Sequence, residues 1–279
     1  MSSTTRNIKD LDEIANRMRC NIVGMTTEAG SGHPGGSLSA ADIMTALWFG
    51  DIMKYRANDP TWEQRDRFIL SKGHAAPVLY AAMVEAGYFE ASELSTLRKL
   101  GSRLQGHPDR LKLPGVEVST GSLGQGLSVA TGMALGLAMN GGTQKVYCLL
   151  GDGECQEGQV WEAALYAAQR KTANLIAVID NNELQIDGSL SEICDLGDFS
   201  EKFKQFGWWT QDVDGHDMGA LIQALREAQD TSFAGPRVII AHTVKGKGVS
   251  FMENTCDWHG RAANEEECKS ALAELEVRS

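Results

Sequence analysis

Long apolar runs are missing from this sequence: none of its 279 residues fall in a stretch approaching the roughly 20 needed to cross a bilayer, which excludes a helical membrane protein. The opening MSSTTRNIKDLDEIANRMRC lacks the basic-then-apolar order of a secretory signal, so the expected compartment is the cytoplasm. Paired cysteines are missing too. Cys20, Cys148, Cys155, Cys194, Cys256 and Cys268 are scattered with no CxxC spacing and read as reduced thiols; Cys155 has no neighbouring base in sequence and is not expected to be a nucleophile. Basic residues are few, 26 against 37 acidic, for a net charge of −11. That excludes a nucleic-acid surface, which needs a basic stripe. It also means that an anionic ligand must be neutralised locally, and a metal ion is the usual agent.

What remains is the composition of an ordinary soluble globular protein, 42% hydrophobic and 23% charged. Ile8, Leu11, Ile14, Met18, Ile22 and Met25 recur at steps of three and four and predict an amphipathic helix. It ends in Glu28–Gly36, where four glycines and a proline predict a loop. A second helix is expected from near Ser39 through Trp48. Further on, short apolar runs at Lys145–Leu150, Asn174–Ile179, Trp208–Val213 and Arg237–Thr243 alternate with helical spacing at Gln159–Arg170 and Met218–Ala228. Strand–helix alternation predicts an α/β fold, a parallel sheet flanked by helices, with ligands at the C-terminal ends of its strands. Gly124, Ser128, Gly132 and Gly136 fall at four-residue steps, giving one helix a face nearly free of side chains, for tight packing in the core or at a subunit contact. No repeat or linker is visible. The expected organisation is a single domain over 1–279 with a C-terminal tail after about 260.

The sharpest feature is Gly151-Asp152-Gly153 followed, after residues 154–180, by Asn181-Asn182. That interval suits one crossover helix and one strand, so the two clusters can meet at adjacent strand ends. Asp152 offers a carboxylate and Asn182 an amide carbonyl, both hard oxygen donors. They suit Mg²⁺, with Ca²⁺ or Mn²⁺ as alternatives, rather than zinc. The glycines let backbone approach a diphosphate. Taken alone, GDG reads sooner as a tight turn than as a ligand site; it is the Asn pair at this spacing that favours a metal-bridged diphosphate.

GDGECQEGQVWEAALYAAQRKTANLIAVIDNNELQIDG resembles the thiamine diphosphate motif in its transketolase form. The resemblance continues in order through SGHPGGSLSAAD, LSKGHAAPVLYAA, GHPD, GVEVSTGSLGQGLSVATGMAL, VDGHD and HTVKGKGVSFMEN…WHG. It covers nearly the whole chain and matches the family's N-terminal, diphosphate-binding domain, so the expected fold is the thiamine-diphosphate-binding fold. The resemblance implies that Asp152 and Asn182 bind the metal through side chains and Leu184 through its carbonyl. It further implies cofactor contacts from Gly151, Gly153, Glu154, Asp180 and Ile186, and from Gly121, Ser122 and Leu123 in the loop over the aminopyrimidine. Many relatives have proline where Ser122 stands, and SKGHAAP departs from the commoner SxGHGS. Glu157 matches a carboxylate that hydrogen-bonds toward the catalytic glutamate of the pyrimidine-binding domain, a glutamate with no counterpart here.

Five of the six histidines adjoin a glycine, which lets a sharp loop present an imidazole to a cleft; an ordinary turn is the plain alternative for any one of them. By the resemblance His33, His74, His107 and His259 line the cofactor and sugar channel, and His74 and His259 also lie near the diphosphate. His216 is read as structural and His242 as a core residue. Lys245 and Lys247 sit either near anionic groups or in a solvated basic loop. The implied activity is transfer of a two-carbon ketol unit from a ketose to an aldose, usually phosphorylated and by default pentose-phosphate sugars. The enzyme would be a heterotetramer (α2β2) with a partner chain carrying the pyrimidine-binding and C-terminal domains. A deoxyxylulose-phosphate synthase-like or dehydrogenase-type subunit, or a non-catalytic cofactor-binding protein, is the alternative.

Overall fold

The computed structural model describes residues 6–230 and 232–277; of the expected 1–279 domain, residues 1–5, 231, 278 and 279 lie outside the described residues. The chain begins with α1 (Ile8–Ala29), α2 (Pro34–Ser39), α3 (Ala41–Phe49), β1 (Arg67–Leu70), α4 (Ala76–Glu85) and α5 (Gln125–Met139). Then follow β2 (Val146–Gly151), α6 (Gly158–Gln169), β3 (Leu175–Asn181), α7 (Leu190–Ile193), α8 (Phe199–Gln205), β4 (Trp209–Asp214), α9 (Met218–Ala228), β5 (Arg237–His242) and α10 (Glu265–Glu276). Among the described residues five strands form one parallel sheet in the order β1-β2-β3-β5-β4.

The period of two sorts the strand side chains into two cores. Tyr147, Leu149, Ile176, Val178 and Ile239 join the cluster built with α1, α3, α4 and α9. Cys148, Leu150, Ala177, Ile179 and Ile240 join the one built with α5, α6 and α8. Because both faces are covered, β2 and β3 are buried at every position, and they read as continuous apolar runs.

Several elements depart from the sequence expectation. The predicted 28–36 loop is shorter than expected. α1 runs on to Ala29 with Gly30 in the left-handed region as its cap, and α2 already starts at Pro34. Proline at the first helical position has its φ preset, and Gly35 is pressed so close to the chain that a Cβ there would lie 2.8 Å from the Trp258 carbonyl oxygen. β1 and α4 carry no usable pattern: one is four residues long, and the other has eight of its ten residues buried. Residues beyond 260 are not featureless; α10 opens with a capping box on Asn264, packs on α1, and accepts a hydrogen bond at Leu275 O from Asn16 Nδ2 at 2.7 Å. The small-residue face of α5 divides. A Cβ on Gly124 would meet Glu157 at 2.8 Å, whereas Gly132 and Gly136 have nothing within 4 Å. His242 is not in the core: its side chain is half exposed, bonded to Asp212 at 2.7 Å and beside Asn181.

Candidate active site

β2 and β3 run in register with Gly151 opposite Asp180, so the two polar clusters leave the sheet side by side. Asp152 is buried where β2 ends; Oδ1 accepts from Gly153 N at 2.7 Å and Oδ2 from Glu183 N. Asn182 is buried opposite, its Nδ2 donating to Asp180 and its Oδ1 accepting from Leu184 N at 3.3 Å. Glu183 takes a left-handed φ of 63°, turning the chain so that Leu184 O faces inward, where it accepts from Lys245 Nζ at 2.8 Å. Asp152, Asn182 and Leu184 thus line one cavity of about 200 Å³, together with Gly151, Gly153, Glu154, Ile186, Gly121, Leu123, Lys72, Lys245, His33, His74 and His259. A larger cavity of about 330 Å³ lies beyond Asn181 among Asp195, Asp198, Asp212 and His242 and holds none of the candidate ligands.

Asp180, expected to touch the cofactor, lies beneath the smaller cavity and does not line it. It is wholly buried and accepts from Ser39 Oγ at 2.6 Å, from Lys72 Nζ and from Thr243 Oγ1. Burial alone would push its carboxyl up. The Lys72 ammonium and the three hydrogen bonds outweigh that and hold it below the usual carboxylate range. Asp152 goes the other way, raised first by burial and then by the neighbouring Asp180 charge. Lys245, 2% exposed, is pushed down by burial, with the Asp152 charge opposing. The carboxylate of Glu154 holds neighbouring backbone and side chain: it accepts from Ser71 Oγ at 2.5 Å, Gly124 N at 2.9 Å and Gly151 N at 3.0 Å, tying the 121–124 loop to the strand ends.

His33, His74 and His259 pack ring against ring, with centroids 5.1–5.5 Å apart. Burial, then nearby Arg98, Lys72 and Lys245 respectively, pulls them down to about 4, 2 and 3, so all three are neutral imidazoles near pH 7. His107 is exposed at the rim against Gly121, where a Cβ would come within 2.9 Å of its ring. Ser122 and Glu157 are also exposed, and the Glu157 side chain makes no hydrogen bond or ion pair among the described residues. The Cys155 thiol is buried, and burial pushes it well above its ordinary value. Sequence reasoning gave no role to Ser39, Lys72 or Arg98. Ser39 and Lys72 lie within the SGHPGGSLSAAD and LSKGHAAP blocks, but nothing local marks them as partners of Asp180. Arg98 reaches Ser31 Oγ at 3.1 Å and His33 Nδ1 at 3.4 Å from a position without any motif.

The donor set fits a metal-bridged diphosphate. One carboxylate, one amide and one backbone carbonyl are oxygen donors of the kind Mg²⁺ takes, with water and phosphate completing the shell. Among the described residues no cluster of three or more His, Cys, Asp or Glu competes for it. Gly36 and Gly151 leave room beside His74 and Lys72, where a Cβ would come to 3.7 Å and 3.5 Å.

Such a site at the C-terminal ends of a parallel sheet defines a diphosphate-binding α/β domain of a cofactor-dependent enzyme. More particularly, the chain belongs to the family described as the transketolase thiamine diphosphate binding domain, whose model matches residues 11–278. It is 42% identical to the 6-deoxy-6-sulfo-D-fructose transketolase subunit of Clostridium sp. (strain MSTE9), over 96% of each chain. It is 39% identical to an apulose-4-phosphate transketolase subunit of Phocaeicola vulgatus, over 97% of this chain and 95% of that one. The transketolase structure from Campylobacter jejuni superposes with a TM-score of 0.90 at 36% identity; the match covers 97% of this chain and 43% of that one.

Proposed function

We propose that this chain is the cofactor-binding subunit of a two-chain transketolase, moving a two-carbon ketol unit from a ketose phosphate to an aldose phosphate. The carrying observation is the in-register meeting of Gly151 and Asp180, which aims Asp152, Asn182 and Leu184 into one cavity beside Lys245. Near end-to-end similarity to two relatives that are themselves transketolase subunits supports the division into two chains. When bound, thiamine diphosphate supplies a nucleophilic carbon and an electron sink for carbon–carbon cleavage. Asp152, Asn182 and Leu184 O would hold Mg²⁺, and Lys245 would meet the diphosphate. The neutral rings of His33, His74 and His259, with His107 at the rim, donate to and accept from sugar hydroxyls, and Ile186 offers an apolar wall. An α2β2 assembly in the cytoplasm acting on pentose-phosphate sugars belongs to the same reading.

The test is calorimetry of thiamine diphosphate with Mg²⁺ on the chain co-expressed with its partner. Asp152→Asn should weaken uptake by about 100-fold, because a neutral amide oxygen holds a divalent cation far less strongly than the only anionic ligand of the set; unchanged uptake would refute the site. A product assay completes it: ketol transfer supports transketolase, whereas decarboxylation would favour a synthase- or dehydrogenase-type subunit.

A further inference from the structure

Behind the cofactor cavity lies a second buried polar cluster that contributes no lining residue to it. Asp42 on α3 is 6% exposed and Arg19 on α1 is 7% exposed. Asp42 Oδ2 takes Arg19 Nη2 at 2.5 Å and His216 Nδ1 at 2.7 Å. His216 stands in the turn between β4 and α9, and its Nε2 lies 2.8 Å from the backbone N of Val244. An amide N–H can only donate, so Nε2 is the acceptor and Nδ1 carries the proton toward Asp42. The network therefore fixes the tautomer and gives the bonds one direction: Val244 amide to imidazole to carboxylate. Burial would push the Asp42 carboxyl up, but the Arg19 charge and the hydrogen bonds from His216 and Arg19 hold it below its ordinary value.

The loop that this cluster holds is the one carrying Lys245. Residues 244–248 leave β5 with two glycines in the left-handed region, Gly246 at φ 78° and Gly248 at 101°, a backbone with wide intrinsic freedom. Within the loop Lys247 N donates to Val244 O at 3.1 Å, and Asn254 N donates to Lys245 O at 2.9 Å; the other anchors come from further away. His216 takes the Val244 N–H, Gly35 O takes the Gly246 N–H at 3.0 Å, and Arg19 Nε donates to Lys247 O at 3.2 Å. Between these anchors the Lys245 side chain projects to the opposite side, into the cavity, with Nζ 2.8 Å from both Leu184 O and His259 Nδ1. Arg19 alone already neutralises Asp42; the hydrogen bond that His216 accepts from Val244 N is an additional constraint whose effect falls on the loop.

We propose that His216, backed by Asp42 and Arg19, is a positioning residue that sets Lys245 against the cofactor's diphosphate. This rests on the thiamine diphosphate reading of the cavity. In the chain co-expressed with its partner, calorimetry with thiamine diphosphate and excess Mg²⁺ should show His216→Ala about tenfold weaker in Kd. His216→Gln should recover most of the loss, since its amide oxygen accepts from Val244 and its NH2 donates to Asp42. In a Lys245→Met background, His216→Ala should add less than twofold, because the two residues act through one contact. Should the alanine variant fail to assemble, His216→Asn, too short to span both partners, serves in its place and should show the same loss. A full tenfold loss persisting in the Lys245→Met background, or no recovery by glutamine, would overturn the proposal and leave His216 a fold-stabilising residue. No uptake by the wild-type complex would instead sink the cofactor reading itself, and this proposal with it.

Discussion

At the scale of single residues, burial sets the chemistry of the cleft. In an unfolded chain His74 takes up its proton as pH falls through about 6.5; folded, it resists until about 2, through burial first and the Lys72 charge second. Below pH 6.5 the unfolded state therefore binds one more proton at this position, and stability contributed by His74 is lost as pH falls, by about 1 kcal/mol per pH unit. Above 6.5 it adds no pH dependence. Asp152 and Glu154, raised by burial, act with the opposite sign, so the histidine's part is read as a difference. The stability gap between wild type and His74→Asn, from urea unfolding without cofactor, should move against the wild type between pH 6.5 and pH 5. A gap constant over that range would show that His74 titrates normally in the folded chain. The type of residue was legible in the sequence, because glycine-flanked histidines and an Asp–Asn pair stand out. The Lys72–Asp180 ion pair was not: its partners are 108 positions apart, and only the fold brings them together.

At the scale of elements, α5 shows where pattern reading stops. Its glycines look equivalent in sequence, yet Gly126 meets a close neighbour while Gly132 and Gly136 face open space. Gly126 lies against the end of β1, where a Cβ would sit 2.3 Å from Ser71 Oγ and 2.7 Å from Ser71 Cα. The same Ser71 bonds Glu154, which holds Gly124 N, so the close approach sets both the start of the helix and the loop before it. Gly126→Ala should cost about 2 kcal/mol by overpacking against backbone that cannot step aside. Gly132→Ala, on the exposed face with nothing within 4 Å, should gain about 0.5–1 kcal/mol from helix propensity. Chemical denaturation of both variants checks this; opposite expectations make a shared sign the refuting result. The glycine that another backbone approaches, Gly126, lies outside the four-residue stripe of Gly124, Ser128, Gly132 and Gly136, so the stripe did not point to it. β1 and α4 were illegible for the related reason that burial on all sides erases the periodicity that betrays an element.

At the scale of the molecule, the sheet and its helices build one wall of a site. The cavity of about 200 Å³ is small beside the roughly 300–1,000 Å³ usual for ligand pockets. Its lining includes Ile186, an apolar residue left 65% exposed, and near it the exposed Glu157 carboxylate beside Gly124 has no partner among the described residues. Ligand sites enclose most of their ligand's surface, and affinity depends on how rigidly the contacts are held; a one-sided site offers little of either. The 279-residue chain by itself should therefore take up thiamine diphosphate with Mg²⁺ at least tenfold more weakly than the two-chain complex. It should give no measurable ketol transfer until the partner supplies the opposing wall and the acid–base glutamate that the family resemblance assigns there. Titrating the partner into the chain at fixed cofactor, while following both calorimetric uptake and product, tests the two statements together. Uptake and turnover that saturate at the same stoichiometry would show that enclosure and chemistry arrive with the same surface. Full turnover by the chain alone would mean that its own residues close the site unaided.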